Sequence, residues 1–286
     1  MFKPRAASAE EVVYSAEPQL RAPARFASEL RADLRVAPGV AWRLFLHALR
    51  AGHRQSLMGY AWLLLPPLAM AATWAYLNRV GVVGVGQTET PYPVYVLTGT
   101  ILWQVFADAL QSPTQQLAAA RGILTKTRTP HEAPLLAGLF DVLFNFAVRA
   151  LVLLPVYLWW GAGWGRSVLL APFGVAALLL LGFAGGLLLA PAGLLYKDVS
   201  RGLSLMLGLW FFLTPVVYSP PTRGAAALLV TLNPVAPLLV TTRRWLTSGT
   251  PAPERGFAQV FALSLLLFVA GWLYYRLARP HLVARL

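Results

Sequence analysis

The stretch 135-LLAGLFDVLFNFAVRALVLLPVYLWW-160 decides the fold. It is apolar almost throughout, and its few polar residues, Asp141, Asn145 and Arg149, recur at every fourth position on one helical face. At about 1.5 Å per residue, a helix of this length crosses the ~30 Å hydrocarbon core of a bilayer. A soluble core would scatter its apolar residues at helix or strand period instead.

Similar blocks lie on both sides of this stretch. They predict spans over Tyr60–Asn78, Pro93–Leu110, Val168–Leu195, Leu203–Tyr218 and Phe257–Leu277. The first holds Pro66 and Pro67, which would kink a helix. The Val168–Leu195 block is longer than one crossing needs, so it must tilt, break near Pro191 or protrude. Between the last two blocks, Ala225–Leu246 is apolar but interrupted by Asn233-Pro234 and Pro237. Its halves are each too short to cross, so they read as a re-entrant pair. The expected fold is therefore an all-α membrane protein with about six transmembrane helices and a re-entrant helix pair between spans five and six.

Ahead of the spans, Arg43, His47, Arg50 and Arg54 share one helical face, while Trp42, Phe45, Leu46 and Leu49 lie opposite. That pattern predicts an amphipathic helix in the membrane interface. The chain divides accordingly into a loosely held polar segment at 1–38, an interface helix at 39–58, a transmembrane domain at 59–279 and a tail at 280–286. The first apolar block begins beyond any normal signal-peptide core, so no cleavable signal is expected.

Composition agrees. Of the 286 residues, 57% are hydrophobic and only 12% charged, against about 25% charged in soluble domains. The net charge of +13 would suggest nucleic acid in a soluble protein, but here the arginines flank apolar blocks and set topology instead. Lysines and arginines near the N-terminal helix, the 121–128 loop, Lys197–Arg201 and the tail place both termini in the cytoplasm of a multi-pass membrane protein. Arg243 and Arg244 run against this bias, unless the re-entrant segment buries them in protein. The absence of cysteine removes thiol chemistry and thiolate metal sites, and the four histidines show no ligand spacing, so neither a metal nor a catalytic residue is expected.

Several segments, in order, resemble the permease subunit of ABC-2 type ABC transporters, the branch that exports O-antigen, capsule and teichoic-acid polysaccharides. They are RQSLMGYAWLLLPP at 54–67, PYPVYVLTGTILWQVFADAL at 91–110, GILTKTRTPHEAP at 122–134, LLLAPAGLLYKDVSR at 187–201, FFLTPVVYS at 211–219 and LNPVAPLLVTTRRWL at 232–246. The chain departs from the usual aromatic-Pro-Arg element of the third segment, where it carries Thr129-Pro130-His131-Glu132. The resemblance implies a two-plus-two assembly of this chain, as a homodimer, with a separate ABC nucleotide-binding subunit. The chain has no GxxxxGK[ST] loop, so ATP and Mg belong to that partner. The cargo implied is a lipid-linked polysaccharide. A lipid or amphipathic small-molecule exporter of the same class, and a membrane-bound transferase, are the other readings.

Candidate functional residues fall into three sets. The cytoplasmic loop with Arg121, Lys126, Arg128, His131 and Glu132 looks like a coupling helix, joined by Arg50 and Arg54. Trp74, Trp103, Phe106, Trp210, Phe211 and Phe212 either line a path on which sugar rings slide or pack against neighbouring helices. Asp141, Asn145 and Arg149 line the path, hold a dimer seam or bond helix to helix, because polar groups at membrane depth face a bundle interior.

Overall fold

A computed structural model describes residues 23–54, 58–84, 86–124, 130, 132–160, 165–221, 223–247, 249 and 251–283. Among these residues every regular element is helical: α1 (Pro23–Arg54), α2 (Ala61–Arg79), α3 (Tyr92–Leu124), α4 (Glu132–Trp160), a 3-10 turn at Arg166–Leu170, α5 (Ala171–Leu195), α6 (Lys197–Leu213), α7 (Gly224–Leu232), α8 (Val235–Thr247) and α9 (Phe257–Val283).

Four stretches are long and apolar enough to cross a membrane: Tyr92–Gly122, Glu132–Trp160, Arg166–Leu195 and Phe257–Ala278. The α7–α8 pair, bent by 89°, makes a fifth if counted as one span. The expected number of about six is therefore not reached by length and composition. Two of the expected spans fall short for separate reasons. Helix α2 runs through Pro66 and Pro67 and ends in the polar Asn78-Arg79. Helix α6 stops at Leu213, because Thr214 precedes Pro215 and is driven into extended backbone (φ −100°, ψ 137°). The chain over 214–218 is thus turn rather than the end of a span.

Other boundaries also move. Helix α3 does not stop at Leu110 but continues to Leu124. Helix α5 passes through Pro191 without a break in its assignment and ends at Leu195. Helix α1 begins at Pro23, well inside the segment read as loosely held. Its apolar stripe, Ala37, Ala41 and Phe45, packs on Ala133 and Ala137 of α4, while Arg43, His47 and Arg50 are exposed. The amphipathic pattern is therefore used against a neighbouring helix.

The core centres on α3 and α5. Small residues let their backbones approach closely. A Cβ on Gly182 would lie 2.6 Å from the Phe106 carbonyl oxygen, and one on Gly186 would lie 2.5 Å from that of Leu110. Helix α9 packs on the other side of α5, where Phe268 meets Phe183. Helix α4 lies against α3 through Val142 and Leu139.

Candidate functional site

At the end where α3 stops and α4 begins, Arg121 is exposed on the last turn of α3 and Arg50 is exposed on α1. Lys126, Arg128 and His131, and the side chain of Arg54, lie outside the described residues. Glu132 is different. It is only 4% exposed and accepts a hydrogen bond from Arg276 Nη1 of α9 at 2.9 Å. Arg276 Nη2 reaches Asp33 Oδ2 of α1 at 3.3 Å. The carboxylate read as a coupling contact therefore points inward, and with Arg276 and Asp33 it ties α1, α4 and α9 together. Sequence reading placed it outward because its partner lies 144 positions away.

Losing one partner of a buried pair leaves an uncompensated charge. This pair sits at a helix end rather than at full membrane depth, so Glu132→Ala is expected to destabilise the fold by about 2–3 kcal/mol. A thermal melt of the detergent-solubilised chain measures it. Unchanged melting would show that the Glu132 pair contributes nothing to stability.

Deeper along α4, Arg149 donates from Nη1 to Asp108 Oδ2 of α3 at 2.5 Å, and from Nε to the Leu63 carbonyl of α2 at 3.4 Å. The pair joins three helices and accounts for Arg149 as a helix-to-helix bond. The sequence marks Asp108 as a second polar residue inside a predicted span, and the structure shows that it is the partner of Arg149. Asp141 and Asn145, on the same row of α4, do not join this bond. They border a cavity of about 390 Å³, with Gln116 of α3, Phe45 and Leu49 of α1, and Tyr60 and Trp62 at the start of α2.

The structure brings five of the six expected path aromatics into linked ring contacts, Phe212 through Phe211 at 5.3 Å. Phe106 and Trp210 stand edge to face at 5.3 Å, Trp103 and Phe211 at 5.8 Å, and Trp103 and Trp210 at 6.4 Å. Trp103, Phe106 and Phe211 are buried, Trp74 packs half-buried against the same core, and Phe212 alone is freely exposed, at 57%. The cluster is packing between α3 and α6, so within one chain these rings do not line an open path. A span's residue list does not say which face turns inward, and sequence left both readings open.

Beside this cluster, Asn233 fixes the corner between α7 and α8. Its Oδ1 accepts from Trp210 Nε1 (3.1 Å) and from the Val235 backbone N–H (3.0 Å), and its Nδ2 donates to Thr214 Oγ1 (2.8 Å). Helix α8 is almost wholly buried, whereas α7 has no buried residue. Arg243 of α8 is 2% exposed. It donates to the Pro215 and Val216 carbonyls at 3.0 Å each and to the Tyr95 hydroxyl, and it stacks 3.6 Å above the Tyr95 ring. Arg244 pairs with Glu89 at 2.9 Å and with Glu254. The two arginines that ran against the charge bias are thus satisfied by protein groups around α8.

No family model matches the chain. Among curated proteins it is similar to the O-antigen export system permease protein RfbA of Myxococcus xanthus, 27% identical over 208 residues, which cover 70% of this chain and 77% of that one. Two Klebsiella pneumoniae proteins of the same name are 24% and 23% identical over 208 and 204 residues. Those alignments take in 71% and 70% of this chain, and 78% and 77% of theirs. The likeness agrees with the resemblance drawn from the motifs: a permease subunit, with no catalysis of its own.

Proposed function

We propose that the chain is the transmembrane subunit of an ATP-driven exporter that moves a lipid-linked polysaccharide, of the O-antigen kind, across the bacterial inner membrane. The observation that carries this reading is the similarity to three export permeases over about 70% of the chain, on a helical fold of long apolar spans. In this reading α2 and α6 complete six crossings alongside α3, α4, α5 and α9. The α7–α8 pair dips in from the outer side, and both termini face the cytoplasm. Two copies of the chain assemble with two ABC nucleotide-binding subunits, which hold ATP and Mg. Two-fold symmetry is the commonest closed arrangement for such a pair.

The exposed Arg121 end of α3 and the basic face of α1 are the surfaces offered to the ATPase. The ion pair of Glu132 with Arg276, which also reaches Asp33, holds α1 to α4 and α9 beside those surfaces. The test is a chromosomal deletion complemented with the full chain. The deletion is expected to lose surface polysaccharide and to accumulate lipid-linked polymer on the cytoplasmic side. Both are read by staining polymer from intact cells and from lysates. Surface polymer at the parental level in the deletion would overturn the reading.

A further inference from the structure

We propose that the cavity enclosed by α1, the start of α2 and α4 is a phospholipid site that takes a primary ammonium headgroup. Its volume is about 390 Å³, and its lining joins an apolar wall, Phe45, Leu49 and Trp62, to three polar side chains, Gln116, Asp141 and Asn145. None of these three makes a hydrogen bond to another described residue, although each sits on a helix long enough to span the bilayer. A polar group at membrane depth stays unpartnered only where something wet or bound completes it.

Charge narrows the occupant. Asp108, Asp141 and Arg149 lie close together, and Arg149 is already committed to Asp108 and to the Leu63 carbonyl. Two carboxylates and one guanidinium leave one negative charge over, beside the cavity. An anionic headgroup is repelled there. A quaternary ammonium neutralises the charge but has no N–H to donate. A primary ammonium brings a positive charge and three donors, which Asp141, Asn145 and Gln116 can accept.

Depth fits a lipid. Asp141 lies roughly two and a half turns past Glu132, within the first half of α4, which the proposed topology turns toward the cytoplasm. Trp62 and Leu65 on the adjoining flank of α2 are exposed, and they offer an apolar surface to an acyl chain.

The test uses the full-length chain in nanodiscs holding phosphatidylethanolamine, phosphatidylcholine and phosphatidylglycerol in equal amounts, with retained lipid identified by native mass spectrometry. Phosphatidylethanolamine is expected to be enriched about tenfold over either of the others. Asp141→Asn is expected to abolish that preference, while Asp198→Asn, at an exposed position on α6, leaves it intact. Should Asp141→Asn fail to assemble, Ala48→Trp fills the cavity from α1 and is expected to expel the lipid while circular dichroism stays unchanged. Equal retention of the three lipids, or a preference that survives both substitutions, would overturn the proposal. So would displacement of phosphatidylethanolamine by an uncharged glycolipid, which would assign the cavity to hydroxyls.

Discussion

Arg149→Met is expected to lower the stability of the chain by about 3–5 kcal/mol, the cost of leaving one member of a buried ion pair without its partner. Arg149 is 7% exposed, and it holds Asp108 and the Leu63 carbonyl together across three helices. With the guanidinium gone, Asp108 loses its ion-pair partner and the Leu63 carbonyl loses a donor from outside its own helix. The double variant Asp108→Leu/Arg149→Met removes both charges and is expected to recover most of the loss, because a buried pair replaced by apolar groups of similar size is often neutral or stabilising. Thermal melts of the single and double variants, with the amount of chain recovered from membranes, measure the effect. If the single variant melts like the parent, the pair contributes nothing and Asp108 is solvated by other means.

The second large effect is expected at Arg243. Arg243→Met removes two donors to the Pro215 and Val216 carbonyls, one to the Tyr95 hydroxyl, and the stacking on that ring. Each carbonyl left buried without a donor costs about 1–3 kcal/mol, so the sum is roughly 3 kcal/mol or more. The damage is local: the turn over 214–218 is released from α8, and Thr214 sits at the same junction as Asn233. Arg243→Lys is expected to recover little of this loss. A single ammonium cannot fork to two carbonyls and lie flat on an aromatic ring at the same time. Hydrogen exchange over 214–218 is expected to speed up in both variants. Unchanged protection there would show that the turn holds without Arg243.

What the sequence made legible was decided by local chemistry. The apolar run around Leu135–Trp160 marks a helix because length and hydropathy are local properties. The Asn233-Pro234 break marks the corner of a bent pair for the same reason. Proline also explains where α6 stops, but only the structure shows that Thr214 yields there. Contacts between distant positions were not legible. Glu132 looks like a surface charge until Arg276 and Asp33 are brought to it. For Arg149 the helix-to-helix bond is one of three readings until Asp108 closes on it. The aromatics of α3 and α6 read equally as a sliding surface or as packing until they interlock with one another. In each case the deciding fact is which face a helix turns to its neighbour, and that follows from packing of the whole bundle.

Helix α3 carries a mechanical consequence. Its 33 residues span about 50 Å, well beyond the ~30 Å of hydrocarbon that a crossing needs. Glycine-mediated contact with α5 clamps its middle, Arg121 stands at one end, and Tyr95, gripped by Arg243, stands at the other. A beam held this way has no slack to absorb a displacement along its length. Leverage applied at its Arg121 end is delivered, at the opposite end of the helix, to the corner on which α7 hangs.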